Sequence, residues 1–248
     1  MNPNGDKAEL DVSTAGSFQI DVGYEKDSVA AERASKPYRV VEVASVSADK
    51  PAICRDTSDS ITITATPNPA DGKLTDLKWE RNDGAGWYAI SDTTEEITFS
   101  ESSTAGKFRF RAKNGDGDSF DGNEVVIYVV QVESVAPVST GTVVCKDESV
   151  SFEAKLTEDQ ELPDGCHIQW GTSFGGDVSD TGKEANISFD QVGEGHTVEA
   201  SIGTQSPVQS QAMTVFEITD LDVSESEICA DGSTQVNVTA EIEPSTRQ

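Results

Sequence analysis

One sequence pattern occurs three times in this chain at a constant internal spacing. The three segments begin at Val41, Val130 and Phe216, and each leads into a run of alternating apolar and polar residues that reaches an alanine. The distance to that alanine is 24 residues in each case, from 41 to 65, from 130 to 154 and from 216 to 240. Repetition at a fixed period indicates one structural unit copied along the chain. We therefore expect a string of similar modules.

A second series of matches gives the length of the unit. Trp79 matches Trp170 at 91 residues and Phe18 matches Phe108 at 90, so the unit spans about 86 to 91 residues. Its segments are short, alternate apolar with polar side chains and are separated by Gly, Asn, Asp and Pro, which is typical of strands and turns. Each unit has room for about seven strands, with the tryptophan in the third. The only candidate helix is 28–35, of one or two turns, so the sequence predicts an all-β chain of sandwiches.

The order of these features resembles a known family. An apolar residue precedes a cysteine, an acidic or serine-rich gap follows, and then come an alternating Val/Thr strand, a tryptophan strand and the pattern Gly-x-Phe-x-Phe-x-Ala at 106–112. This order is similar to that of the bacterial immunoglobulin-like repeats of adhesins, surface-layer proteins and large secreted proteins. The resemblance implies tandem immunoglobulin-like β-sandwiches in an extracellular protein. It implies no catalytic residues.

The repeat gives domain boundaries that do not coincide with the chain ends. Residues 44–132 and 133–216 are expected to be complete immunoglobulin-like domains, whereas 1–43 matches only the last strands of a unit and 217–248 only the first. One hypothesis is that the chain is a piece of a longer array. The other is that the terminal halves complete each other between neighbouring chains. We favour the first, because neither terminal segment contains a tryptophan strand.

The charge balance excludes several classes of partner. The chain has 45 Asp and Glu against 18 Lys and Arg, a net charge of -27. Nucleic acid and anionic membrane surfaces both require clustered positive charge, so we expect neither as a partner. No apolar run approaches the roughly 18 to 20 residues that cross a bilayer, so no membrane insertion is expected in this segment.

The cysteines suggest one disulfide and one buried thiol. In the 24-residue alignment Cys54 and Cys229 occupy a position that is Val143 in the middle repeat, which indicates an apolar packing site. We therefore expect Cys54 to be a buried thiol, and a partner of Cys229 could lie beyond this segment. The middle repeat has two cysteines of its own, Cys145 and Cys166, and a disulfide between them is plausible in an oxidising compartment.

An acidic, glycine-rich stretch is the most specific candidate metal site. It offers alternating oxygen ligands and a closing carboxylate, as Ca²⁺ requires. It does not match the helical calcium loop, which needs Gly where Ser119 lies and Glu where Val125 lies. The alternative is a solvated turn between two strands. The candidate ligands are Asn114, Asp116, Asp118, Asp121 and Glu124.

Two further motifs point to binding or catalysis. Trp87 and Tyr88 form an aromatic pair that could contact a sugar or a protein, or could cover the sandwich rim. The pattern G-x-S-x-G around Ser173 matches a hydrolase nucleophile elbow, but the surrounding turns are not the strand and helix that such an elbow needs. The only histidines are His167 and His196, and nothing selects either as a base. We expect no catalytic residues.

The sequence therefore predicts a non-enzymatic structural or adhesive segment, a spacer or stalk, of a larger extracellular repeat protein. Its expected partners are other repeats of the same protein and a surface glycan or protein, with no cofactor except the possible Ca²⁺. Two alternatives are an immunoglobulin-like component of a virion or extracellular filament and a carbohydrate-binding accessory region of a secreted hydrolase. A catalytic role would require one of the two histidines in a cleft beside a carboxylate and Ser173.

Overall fold

A computed structural model describes residues 12, 14–26, 29–100, 103–115, 124–139, 141–224 and 236–244. The chain divides into two compact units. The first comprises the described residues within 1–52, 60–101 and 107–128, and the second those within 53–59, 102–106 and 129–248. No helix in the described ranges is long and apolar enough to cross a membrane.

The described residues form twenty-one strands and no α-helix, which confirms the all-β prediction. One 3₁₀ turn covers Thr157–Asp159. The candidate helix is wrong, because residues 29–35 extend and pair with the preceding strand, and backbone pairing outweighs a weak helical preference. The strands are β1 (Gly16–Lys26), β2 (Val29–Val40), β3 (Glu42–Ala48), β4 (Ala52–Cys54), β5 (Ile61–Asn68), β6 (Leu77–Asn82), β7 (Trp87–Ile90), β8 (Glu96–Phe99), β9 (Gly106–Asn114), β10 (Val125–Val130), β11 (Val132–Pro137), β12 (Val143–Cys145), β13 (Ser149–Leu156), β14 (Ile168–Thr172), β15 (Val178–Asp180), β16 (Glu184–Ser188), β17 (Gly193–His196), β18 (Val198–Ile202), β19 (Val208–Gln209), β20 (Met213–Val223) and β21 (Val238–Glu243).

The strands from β3 to β10 form two sheets of an immunoglobulin-like sandwich. One sheet has the order β3-β5-β8 and the other β4-β10-β9-β6-β7, so strands near in sequence alternate between the sheets. Alternation along β9 buries Phe108, Phe110 and Ala112, as the sequence predicts. Trp79 on β6 is fully buried, and its indole N–H donates to the Thr94 carbonyl at 2.9 Å. It lies on the fourth strand of this group rather than the third, because the short β4 precedes it.

The strands from β11 to β20 share part of this arrangement but lie in three sheets. Their sheets have the orders β11-β13-β16-β15, β12-β20-β17 and β14-β18-β19. The short β12 pairs in parallel with β20. The Trp170 indole N–H donates to the Gly182 carbonyl at 3.1 Å, matching the bond made by Trp79. Phe152 and Phe189 are fully buried and lie in ring contact.

The same antiparallel pairing occurs at three places along the chain. The pairs β3–β5, β11–β13 and β20–β21 each have a register shift near their start, between Val43 and Ser45, between Val132 and Ser134, and between Ile218 and Asp220. The residue pairs that follow the shift also match: Val46 with Ala65, Val135 with Ala154 and Leu221 with Ala240. The three segments that match in sequence therefore also share one hydrogen-bonded register, bulge included. A further ribbon, β1–β2, lies in the first unit.

Candidate functional site

The outer face of β9 has basic side chains at four successive outward positions. Because neighbouring residues of a strand point to opposite sides, the burial of Phe108, Phe110 and Ala112 directs the residues between and beside them outward. These outward residues, called the basic stripe below, are Lys107, Arg109, Arg111 and Lys113.

Fixed contacts hold the basic stripe. Arg111 donates from Nε and Nη2 to Oε2 of Glu80, at 2.9 and 2.7 Å, and its guanidinium lies 3.9 Å from the centre of the Trp87 ring. Arg109 forms an ion pair with Glu124 at 3.5 Å. These contacts place cations beside an aromatic ring on one surface. Such an arrangement can hold an anion next to an apolar group.

The structure separates Trp87 from Tyr88. They are consecutive residues of β7, so their side chains lie on opposite faces of the sheet. Trp87 contacts Arg111 on the outer face. The Tyr88 hydroxyl donates to Oδ1 of Asp83 at 3.0 Å, which raises the pKa of Tyr88. The pKa of Asp83 is lowered, chiefly because its carboxylate accepts the Ala85 N–H. The two aromatic residues therefore do not form one platform, and ligand binding by either stays a prediction.

Only two of the five predicted Ca²⁺ ligands lie in the described part of the chain. Nδ2 of Asn114 donates to the Val41 carbonyl at 2.6 Å, and Glu124 forms an ion pair with Arg109. Asp116, Asp118 and Asp121 lie outside the described residues, so the Ca²⁺ site stays a prediction. Among the described residues, no three His, Cys, Asp or Glu side chains are grouped as metal ligands would be.

The predicted Cys145–Cys166 disulfide is wrong. Cys166 is bonded to Cys54, with the Cα atoms 6.1 Å apart and a sequence separation of 112 residues. Cys54 is fully buried, as expected of its apolar position, but it is not a free thiol. Cys145 is free and exposed at the end of β12. Spacing along the sequence favoured the nearer cysteine, whereas the fold places the distant one within disulfide reach. Cys229 lies outside the described residues.

Hydrogen bonds within the second unit reinforce this disulfide. The Arg55 N–H donates to the Val130 carbonyl at 2.9 Å, and Nη1 of Arg55 donates to Oε1 of Gln131 at 2.6 Å. Gln205 holds Val132 through both backbone groups, accepting its N–H at 3.1 Å and donating to its carbonyl at 2.7 Å. The segment after β4 and the start of β11 are thus fixed by buried or half-buried polar groups as well as by the sulfur bridge.

The G-x-S-x-G motif does not form a nucleophile and base pair. The Ser173 hydroxyl accepts the Thr197 N–H at 2.9 Å. His196 packs edge-on against Phe174, with ring centres 4.7 Å apart, and its Nε2 has no hydrogen-bond partner among the described residues. An activated serine requires a base within hydrogen-bond reach and a group that orients the base. Neither relation is present between these residues.

The arrangement of strands defines an immunoglobulin-like sandwich chain, and three-dimensional comparison finds similar architectures. The D0–D1 domain of intimin is 15% identical, with a TM-score of 0.30, covering 70% of this chain and 98% of that one. Three N-terminal domains of the outer capsid protein Hoc of bacteriophage RB49 are 17% identical, with a TM-score of 0.47, covering 82% of this chain and 69% of that one.

Domains 4 and 5 of the S-layer protein SbsC are 15% identical, with a TM-score of 0.32, covering 70% of this chain and 98% of that one. The fold assignment rests on the strand order and register above. Neither the protein-family models nor the curated proteins gave a match.

The basic stripe was not among the sites predicted from sequence, although its signal was present. The alternation in Phe108-Arg-Phe-Arg-Ala112 already placed charges on the outer face of a strand. The missing step was to extend the outward series to Lys107 and Lys113. The contact between Arg111 and Trp87 could not be derived in that way, because it depends on the pairing of β6 with both β7 and β9.

Proposed function

We propose that this chain is a non-enzymatic structural or adhesive segment of an extracellular surface protein, in which immunoglobulin-like repeats act as a spacer. The observation that carries this proposal is the threefold recurrence of one strand pairing with the same bulge. In a chain of similar modules each module contacts mainly its neighbours. Such a chain sets the distance between its two ends rather than carrying out a reaction. The domains are proposed at 44–132 and 133–216, with partial repeats at 1–43 and 217–248.

The disulfide supports an extracellular location. Bonds of this kind persist in oxidising compartments and are rare in reducing ones. The net charge of -27 also suits a solvated surface array, because like charges keep neighbouring molecules apart. The proposed partners are other repeats of the same protein and a surface glycan or protein.

The accessory carbohydrate-binding alternative has one observation in its favour, the outward position of Trp87 on β7. A virion or filament component would share the same fold, and the likeness to Hoc concerns that protein only. No observation on this chain favours the virion alternative over a spacer.

Surface display tests the spacer function. The 248 residues would be placed between a membrane anchor and an epitope on an encapsulated bacterial cell. We expect antibody access to the epitope with the chain present and reduced access with the anchor and epitope fused directly. A linker of equal residue number but unfolded sequence is the matched control. Equal access in all three arrangements would contradict the spacer function.

A further inference from the structure

We propose that Asn237 is an acceptor for an N-linked glycan in the folded chain, and that Asn186 accepts one only before its sheet has formed. Both residues begin the pattern Asn-x-Ser/Thr, as Asn186-Ile-Ser188 and Asn237-Val-Thr239. This pattern is the acceptor sequence of N-glycosylation in secreted proteins. The inference rests on the proposed extracellular location, because secretion brings a chain to the transferase that attaches such glycans.

The chemistry of the transfer defines what the site has to offer. Nδ2 of the asparagine attacks C1 of a sugar that is activated as a lipid diphosphate. The C–N bond forms while the bond from C1 to the diphosphate oxygen breaks, the diphosphate leaves with the electron pair, and the amide gives up one proton. The pattern also requires a hydroxyl two residues further on. Amide and hydroxyl must therefore reach the transferase together, on a segment that can leave its sheet.

The segment that contains Asn237 lies open at the start of β21. Asn237 and Thr239 are exposed, and alternation places them on the same side of the chain. Val238 between them pairs with Val223 and is 59% exposed. The Asn237 N–H donates to Oγ of Ser224 at 3.0 Å, and the Asn237 carbonyl accepts the Ser224 N–H at 2.9 Å. Among the described residues β21 pairs with β20 alone, so release of this segment breaks few hydrogen bonds and exposes little apolar surface.

The other acceptor pattern lies inside a sheet. β16 pairs with β13 on one side and with β15 on the other, so Asn186 is opposite both Ser151 and Ser179. Oδ1 of Asn186 accepts the Ser151 hydroxyl at 2.6 Å. Ile187, the middle residue of the pattern, is fully buried. Asn186 is itself exposed, but its segment can enter an enzyme only after two strand pairings and the burial of Ile187 have been lost.

The two patterns therefore differ in the free energy needed to open them. Local opening costs almost nothing at loosely packed segments and approaches the full free energy of unfolding at core strands. The start of β21 belongs to the first kind and β16 to the second. During synthesis neither pattern is yet paired in a sheet, so both are available. After folding, Asn237 stays available and Asn186 does not.

The position of Asn237 also suits a bulky, hydrated group. Asn237 and Thr239 lie on the polar face of the β20–β21 ribbon, because Thr239 pairs with Asp222. The apolar residues Val238 and Ile242 alternate to the other face. A glycan on Asn237 would therefore extend into water without disturbing the strand pairing.

The first experiment incubates the purified, folded chain of 248 residues with a purified single-subunit oligosaccharyltransferase and a lipid-diphosphate oligosaccharide. Peptide mass spectrometry gives the initial rate of modification at each asparagine, and a short acceptor peptide confirms that the transferase is active. We expect Asn237 to be modified at least roughly 10-fold faster than Asn186, since a difference of about 1.4 kcal/mol in opening free energy gives that ratio. No modification of Asn237, or an equal or faster rate at Asn186, would overturn the proposal.

Variants of the hydroxyl residues assign the modification to the two patterns. Thr239→Ala should abolish modification of Asn237, whereas Thr239→Ser, which keeps the hydroxyl, should retain it. Ser188→Ala is the matched control, because it removes the hydroxyl of the other pattern and should leave the rate at Asn237 unchanged. Circular dichroism checks that each variant is folded. Continued modification of Asn237 in Thr239→Ala, or its loss in Ser188→Ala, would contradict the assignment.

Secretion from a eukaryotic host gives the second measurement, because the transferase there meets the chain before it folds. We expect a glycan on both Asn186 and Asn237 of the secreted chain. Absence of the glycan from either residue would overturn the proposal. The surface-display experiment measures access to an epitope and involves no glycan, so a failure of either proposal is recognisable separately.

Discussion

The ribbon β20–β21 and the pair β3–β5 have the same register but opposite environments. Leu221 and Ala240 form the same cross-strand pair as Val46 and Ala65. Val46 is 6% exposed and Ala65 is 1% exposed, whereas Leu221 is 59% exposed. Pairing and bulge thus follow from the local sequence, whereas burial requires the second sheet that β20–β21 does not have among the described residues. A strand pair can be correctly formed and still contribute little apolar burial.

The ribbon is nonetheless amphipathic. Ile218 is opposite Ile242 and Val223 is opposite Val238, so these apolar side chains share one face with Leu221. The other face is acidic, with Glu217, Asp220, Asp222, Glu241 and Glu243. Alternation of this kind is what a sheet shows when one face packs on a core and the other meets water.

The largest expected difference between the two regions comes from a charge placed on the shared alanine position. Ala65→Asp in β5 would bury an unpaired carboxylate at a site that is fully buried, and should cost about 3 to 5 kcal/mol. Ala240→Asp, at the exposed equivalent, should change the free energy of unfolding by less than about 0.5 kcal/mol. Urea denaturation followed by tryptophan fluorescence measures both. Equal losses would show that the ribbon is covered in solution.

Removal of the Cys54–Cys166 disulfide is the next largest effect. A bridge across 112 residues constrains the unfolded chain, and its loss should cost about 2 to 5 kcal/mol. Cys54→Ala with Cys166→Ala would therefore lower the urea midpoint. Cys145→Ser, which changes only the exposed free thiol, is the matched control and should leave the midpoint unchanged. Thiol titration of the unfolded protein gives an independent check of which cysteines are bonded.

A smaller difference is expected from removing methyl groups at the position of Leu221. Val46→Ala in β3 removes two buried methyl groups and should cost about 2 kcal/mol. Leu221→Ala in β20 removes more atoms, yet should cost less than about 0.5 kcal/mol because the side chain is already in water. Thermal melts of the two variants measure the contrast. A larger loss for Leu221→Ala would reverse the comparison.

The smallest expected effect concerns the base of the ribbon, where Lys146 meets Glu217 at 3.0 Å. The hydrogen bond to Glu217 raises the pKa of Lys146. Its contribution to stability is therefore fully present below the ordinary lysine pKa and is lost as the pH rises through the raised value. NMR titration of the Lys146 side chain should show a raised midpoint that falls in Glu217→Gln. An unchanged midpoint in that variant would contradict the contact.

The sequence was sufficient for the all-β class and for the inward face of β9, because the alternation of apolar and polar residues depends on residues close together in the chain. It was not sufficient for the disulfide, since Cys54 and Cys166 are brought together by strands far apart in sequence. Trp87 and Tyr88 are adjacent in sequence but point to opposite faces of β7, because consecutive strand residues face opposite ways, and ligand binding by either stays a prediction. The contact of Trp87 with Arg111 required the order of β7, β6 and β9 in the sheet.

Amide hydrogen exchange tests the central claim most directly, because it reports the stability of each strand pair separately. The residues to compare are 42–48 and 61–68 against 217–223 and 238–243, which share one register. We expect the first pair to exchange only through extensive unfolding, and the second to exchange at least roughly 100-fold faster. Equal protection of both pairs would contradict the account, since it would mean that the ribbon has a covering sheet in solution.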